Sequence, residues 1–326
     1  MKKIVLFCFI WLLTFFSCTK HETISKNEFV IGTICSIQIP KTPEAEKILD
    51  KCFEELRRLE MIFSAHDDKA ELALLNKSAP HTFVTVSDEL YELIDIAKNF
   101  SMLTDYAFEP AIGHLVNLWS IGFDDEKIPE SSEIEATLEF CSSEYLRLEG
   151  QSVMRMSEYC QVDLGAIAKG YATDHIASIL RAENIESAII NLGGNILALG
   201  KKFFSNSAWS IGLRDPAGTF DMTKKIVAVE NKSVVTSGIY ERFFFEDGKR
   251  YHHVLDPKTG YPVENEIASV SIIADSSTLA DVLATACLIL GYEKSLSVLS
   301  NFDVVAVFFF KDGSIQATDE SIFIGD

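Results

Sequence analysis

The chain has 326 residues, with 48 acidic side chains against 29 basic ones and a formal charge of −19. That length allows one large domain or two closely joined ones, and no Pro/Gly/Ser-rich stretch marks a linker. The acidic balance argues against nucleic acid or an anionic membrane surface as the main partner, and it requires a local cation wherever a phosphate is to be held.

Lys2 and Lys3 precede the uncharged, apolar run Ile4–Phe16. This run is shorter than the about 20 residues a membrane-spanning helix needs, so residues 1–17 read as a signal peptide. Ser17-Cys18 resembles the end of a bacterial lipobox, with Phe15 where leucine is usual. Cys18 would then be lipidated and become the mature N-terminus; a plain secretory signal with an incidental Cys18 is the alternative. Loss of Lys2 and Lys3 takes the formal charge from −19 to −21. Residues 18–27 are expected to be a short tether and 28–326 the folded domain. Once Cys8 and Cys18 are set aside, Cys35, Cys52, Cys141, Cys160 and Cys287 remain. An odd number without C-x-x-C spacing argues against a disulfide framework and against a zinc site.

Glu28–Ile39 alternates as a strand, and Glu44–Ser64 carries apolar residues at helical spacing. Asp88–Phe100 predicts a helix capped by Ser87. Ser64–Asp67 and Thr104–Pro110 are irregular. Ala111–Trp119 is apolar enough to pack on a core, and Asp124–Glu135 reads as a polar, exposed connector.

Residues 162–200 predict a strand end, a glycine turn, an amphipathic helix, and two strands joined through Gly193-Gly194. Gly165 and Gly170 at the helix entrance would offer free N–H groups to a phosphate, and Lys169 would add a positive charge. The spacing matches neither a P-loop nor a dinucleotide fingerprint, so a plain packing turn is equally consistent with it.

Ile239–Phe245 and Arg250–Leu255 flank Asp247-Gly248 as a hairpin, ending in the sharp, exposed turn Asp256–Gly260. His252 and His253 are strand neighbours, so at most one of them faces a site. Ser276–Gly291 predicts a capped helix on which Asp281 and Thr285 share a face. Two hard oxygens there suit Mg²⁺; alternatively, Asp281 complements the helix dipole and Thr285 bonds backward.

In order along the chain, Asp163–Asp174, Asn191–Gly194, Thr236–Arg242, His253–Pro262 and Ala280–Thr285 resemble the DLGxIAKGYAxD, NLGG, TSG-Y-R, HxxDPxTGxP and ADxxAT motifs of the ApbE family of FAD:protein FMN transferases. The resemblance covers nearly all of the mature chain. It implies an α+β fold of mixed sheets with packed helices, two intimately joined lobes around one active site. It also implies Mg²⁺ bound by Asp281, Thr285 and the backbone oxygens of Ala166 and Ala284, and FAD contacts from Asp163, Lys169, Ser237 and His253. Further flavin contacts map to Ile31, to His66 where tyrosine is common, and to Ala107, Phe108 and Glu109, where TDYAFEP replaces TDGAFDP.

The implied reaction moves FMN from FAD to a threonine of exported acceptors, such as redox-complex subunits and FMN-binding domains, and releases AMP. The enzyme would be an inner-membrane lipoprotein facing the periplasm. A threonine hydroxyl needs a base, and His253 is assigned that role. A periplasmic FAD pyrophosphatase and a non-catalytic FAD-binding lipoprotein are the alternatives.

Overall fold

The computed structural model describes residues 22–218 and 222–325. The expected signal peptide and Cys18 therefore lie outside the described residues. Strand β1 (Thr23–Val30) already occupies part of the expected tether and pairs antiparallel with β2 (Thr33–Pro40). Glu28–Ile39 is thus a hairpin and not one strand. Its two-residue turn is Ile31-Gly32, with φ of 54° and 66°, the left-handed pair that a type I′ turn requires. Isoleucine in place of the usual Asn hides that turn from the sequence.

Helix α1 (Ala45–Phe63) buries Leu49, Cys52, Phe53, Leu56 and Leu59 along one face. Each large apolar side chain so buried contributes about 1.5–3 kcal/mol. After α2 (Glu71–Lys77) and the short β3 (Val84–Thr85) comes α3 (Asp88–Leu103), where the Ser87 hydroxyl accepts from the Leu90 N–H at 3.3 Å. Helix α4 (Gly113–Trp119) buries Trp119 completely. The connector expected at 124–135 runs into a helix, α5 (Ser131–Leu138), started by a Glu130/Glu133 capping box and anchored by buried Ile134. Strands β4 (Leu146–Glu149) and β5 (Ser152–Arg155) complete a small sheet with β3.

The second half contributes α6 (Ala168–Ala182), β6 (Ala188–Leu192), β7 (Asn195–Leu199), β8 (Trp209–Arg214), β9 (Thr223–Val229) and β10 (Lys232–Gly238). The hairpin β11 (Phe243–Glu246) and β12 (Lys249–His252) follows, with shorter strands than expected. The chain closes with β13 (Ile267–Ala274), α7 (Ser277–Leu290), α8 (Tyr292–Leu299), β14 (Val305–Phe310) and β15 (Ile315–Ala317).

One eight-stranded sheet, ordered β1-β2-β6-β7-β10-β13-β14-β15, organises the α+β fold, and its strand pairs are antiparallel. Strand β13 is buried at every position because both of its faces are covered. Val270, Ile272 and Ala274 meet α7, while Ile273 packs against the β8–β9 hairpin. One core lies around α1, α3 and α6 and a second around α7, so the two lobes share the sheet and meet where α6 packs on α7. The five cysteines of the described chain are buried free thiols, and burial pushes each up to about 12.

Candidate active site

Three turns or strand ends meet at one end of the large sheet. The pairings Val30↔Thr33, Leu192↔Asn195 and Val235↔Asn195 place Ile31-Gly32, Gly193-Gly194 and the Ser237-Gly238 end of β10 there. A Cβ on Gly193 would lie 2.4 Å from the Thr33 hydroxyl, so the two turns approach closely only because that position is glycine.

Helices α6 and α7 bring the polar groups to this end. A Cβ on Gly170 would lie 2.4 Å from the Ser277 carbonyl, so the two backbones are in contact. Asp174 holds the start of α7: its carboxylate accepts from Ser277 N–H (2.8 Å), Thr278 N–H (2.9 Å), Ser276 Oγ (2.9 Å) and Thr278 Oγ1 (2.8 Å). Asp174 and Ser276 therefore supply the dipole and cap interactions. Asp281, one turn further along, is left for another role. Thr285 does not bond backward; its hydroxyl lies 3.1 Å from Ser237 Oγ on β10.

Asp281 is 2% exposed. Its Oδ2 accepts from Gly170 N–H at 2.9 Å, and Oδ1 lies 3.8 Å from Lys169 Nζ. Lys169 Nζ also donates to the Gly165 carbonyl at 3.2 Å. In an uninterrupted helix the Gly170 N–H would bond the carbonyl of Ala166. Its diversion to Asp281 leaves that carbonyl without a backbone donor among the described residues. Ala284 is fully buried in the middle of α7.

One carboxylate, one hydroxyl and two carbonyls are all hard oxygen donors, so Asp281, Thr285, Ala166 and Ala284 fit Mg²⁺ chemically. Among the described residues there is no cluster of three or more His, Cys, Asp or Glu side chains suited to a metal. A cation here would rest on this mixed set.

The expected phosphate cradle takes a different form. Gly165 N–H is bound to Asp163 Oδ1 at 2.8 Å and Gly170 N–H to Asp281, so neither is free. Lys169 is the group left to meet a phosphate.

His253 follows β12 and is half-buried. Its Nδ1 lies 3.3 Å from the Arg242 carbonyl, which can only accept, so Nδ1 carries the proton and Nε2 keeps its lone pair. Burial, with the positive fields of Arg242 and Lys169, pushes its pKa down to about 4. His252 faces the other way, buried, with its ring 3.0 Å from the Val263 carbonyl. In the turn Asp256–Gly260, Lys258 and Thr259 are exposed but Pro257 and Gly260 are buried. Trp119 Nε1 donates to the Gly260 carbonyl at 2.8 Å, and Lys258 pairs with Asp105 at 2.9 Å, tying this turn to residues 104–110.

That second segment presents its side chains inward. Ala107 and Phe108 sit in the main core. Glu109 is buried too and accepts from Ser101 Oγ (2.8 Å) and Ala111 N–H (2.9 Å), with burial pushing its carboxyl pKa up. These three side chains are therefore closed off from a ligand at the surface. The Asp163 N–H donates to the Pro110 carbonyl at 2.8 Å, placing this turn against the glycine loop. His66 is exposed and its ring lies 4.6 Å from that of Phe123.

The structure thus gathers Ile31, Lys169, Ser237, Asp281 and Thr285 at the sheet end, with His253 within the field of Lys169. Two groups escape motif reading. Asp174 is the last acid of its motif and the anchor of α7. Glu241 is exposed but crowded by the surrounding protein, which pushes its carboxyl pKa up, and it lies in the fields of Lys169, Arg242 and Asp281.

The ApbE family model matches residues 31–309. A Treponema pallidum FAD:protein FMN transferase is 42% identical over 312 residues, covering 90% of this chain and 86% of that one. A Klebsiella pneumoniae protein of the same name is 38% identical over 273 residues, covering 83% and 84%. Among solved structures, the ApbE protein of Thermotoga maritima superposes with a TM-score of 0.84 at 32% identity, over 91% of this chain and 97% of that one. The flavin transferase ApbE of Vibrio cholerae gives 0.83 at 26% identity, over 93% and 100%. The chain belongs to the ApbE family and is a transferase.

Proposed function

We propose that this chain is a Mg²⁺-dependent FAD:protein FMN transferase, exported and anchored through a lipid on Cys18 at the periplasmic face of the membrane, acting on a threonine of exported acceptors. The names of the relatives support flavin transfer. The observation that carries the chemistry is the placing of Lys169 and Asp281, 3.8 Å apart, with a neutral imidazole close by. No helix among the described residues is long and apolar enough to cross a membrane.

Transfer requires the threonine oxygen to bond to the FMN phosphorus as the pyrophosphate P–O bond to AMP breaks. AMP departs with the electron pair, and the threonine proton passes to His253 Nε2. The Arg242 carbonyl fixes the tautomer that leaves Nε2 able to accept. A positioned base of this kind contributes about 10²–10⁴-fold. Lys169 offers positive charge to the pyrophosphate, which an acidic protein otherwise repels. Mg²⁺, held by Asp281, Thr285, Ala166 and Ala284, would supply further charge neutralisation there. Ser237 orients Thr285 through their hydroxyl contact.

The test is mass spectrometry of an acceptor domain bearing the target threonine, incubated with residues 19–326, FAD and Mg²⁺ while AMP is followed. An FMN-sized mass gain with matching AMP is expected. AMP and free FMN with an unmodified acceptor would mean a pyrophosphatase, and neither product would mean a binding protein.

A further inference from the structure

Behind the β11–β12 hairpin lies a cavity of about 490 Å³, lined among others by Arg250, His252, Tyr261 and Lys311. It is the size of a small-ligand site. Strand alternation puts His252 and His253 on opposite faces of the chain, so this cavity is not the place of the proposed base. Ile239, Tyr261 and Pro262 of the motif segments line it, but Asp163, Lys169, Ser237, His253, Asp281 and Thr285 do not.

Its charge is at odds with the rest of the molecule. On a chain with 48 acids and 29 basic residues, Arg250 and Lys311 have no carboxylate within ion-pair distance among the described residues. The nearby acids are occupied: Glu264 pairs with Lys249 at 2.6 Å, Asp215 pairs with Lys224 at 3.3 Å, and Glu266 accepts from the Tyr292 N–H at 3.4 Å. Lys311 Nζ reaches only the carbonyl of Asn265, at 2.5 Å, and Arg250 lies over the Phe243 ring. Burial and the neighbouring Arg250 both work against the Lys311 charge. Two cations so placed are stabilised when an anion joins them.

His252 forms part of the wall. It is 5% exposed, its Nε2 donates to the Val263 carbonyl, and its Nδ1 is closed off from solvent, so the ring shapes the cavity and leaves the charge to Arg250 and Lys311.

We propose that this cavity is a second ligand site, separate from that for FAD, which takes a carboxylate or phosphate group, with Arg250 and Lys311 on the anion. Such a group could belong to a free small molecule or to a side-chain cluster of the acceptor protein. The assignment of an acceptor source rests on the proposed transferase reading; the anion site itself does not.

Citrate and glycerol 3-phosphate, each added to the FAD-loaded protein in an isothermal titration, are the probes. Saturable binding of one equivalent of at least one of them is expected, weakened about tenfold or more in Arg250→Gln and in Lys311→Gln. Both positions are partly exposed, and unchanged circular dichroism and melting would show that the variants fold. Displacement of the probe by an acceptor domain, with a raised acceptor KM in the variants, would assign the anion to the acceptor. Binding indifferent to the acceptor would assign it to a free molecule. No saturable binding of either probe, or equal binding by wild type and variants, would overturn the proposal. Transfer in the variants is read separately, so loss of this site and failure of the transferase reading remain distinguishable.

Discussion

The Gly170 N–H donates to Asp281 Oδ2 at 2.9 Å, joining the first turn of α6 to the second turn of α7 through one oxygen of a buried carboxylate. The bond satisfies half of the carboxylate, orients the other half toward Lys169, and releases the Ala166 carbonyl from the helix ladder. Glycine is needed for it, because any Cβ at 170 would collide with Ser277.

Gly170→Ala therefore separates the two helices. The obstacle is backbone, with the added Cβ 2.4 Å from the Ser277 carbonyl and 2.8 Å from Thr278 Cα. Overpacking of this kind costs about 1–3 kcal/mol, and thermal unfolding should register a fall of several degrees. The Mg²⁺ concentration for half-maximal activity should rise as well. A variant that melts like wild type and needs no more Mg²⁺ would show that the contact is slack.

Asp281→Asn keeps an oxygen to accept from Gly170 but removes the charge. The expected result is a normal melting temperature with Mg²⁺-dependent turnover reduced roughly 100-fold or more. Turnover of FAD close to wild type at saturating Mg²⁺ would remove Asp281 from the metal set.

Much of this site is legible in the sequence because its parts are local. The cap at Ser87, the Gly193-Gly194 turn, the Asp247-Gly248 hairpin and the stacked Asp281 and Thr285 each follow from residue types a few positions apart. What the sequence hides is either unusual or distant. Ile31 takes a left-handed conformation that β-branched residues avoid, so the β1–β2 turn is invisible. Helix α5 begins with a glutamate cap inside a polar stretch. The grip of Asp174 on α7 spans 102 to 104 residues, and no periodicity reports a contact of that range.

The departure at TDYAFEP has a structural consequence that can be measured. Tyr106 stands where the family pattern has glycine, yet keeps φ at 59° beside Asp105 at 53°. A left-handed conformation costs an L-residue about 1–2 kcal/mol, and glycine's greater freedom when unfolded returns part of that. Tyr106→Gly should stabilise the protein by about 0.5–1 kcal/mol, seen as a higher urea midpoint at constant m-value. Its hydroxyl contact with Glu144, at 3.5 Å, is too long to offset the gain. A lower midpoint would mean that the ring carries packing worth more than the backbone strain.

His253 links activity and stability through pH. Burial, Arg242 and Lys169 hold its pKa near 4, against an ordinary 6.5, and burial does the same to His252. Folded imidazoles resist protonation, so as pH drops below 6.5 the unfolded chain takes up the protons first. Stability is thus undiminished by these groups above 6.5 and is lost progressively from there down to about 4. Transfer should behave differently: Nε2 stays unprotonated through the same range, so the base limb of the rate is flat from pH 8 to about 5 and falls only as His253 titrates near 4. His253→Gln should slow transfer about 10²–10⁴-fold, lowering kcat far more than it raises the KM for FAD, and flatten part of the melting-temperature curve between pH 6.5 and 4. A wild-type rate that halves near pH 6.5 while the protein remains folded would show that burial does not hold His253 neutral, and the base would have to be sought elsewhere, with Glu241 a candidate.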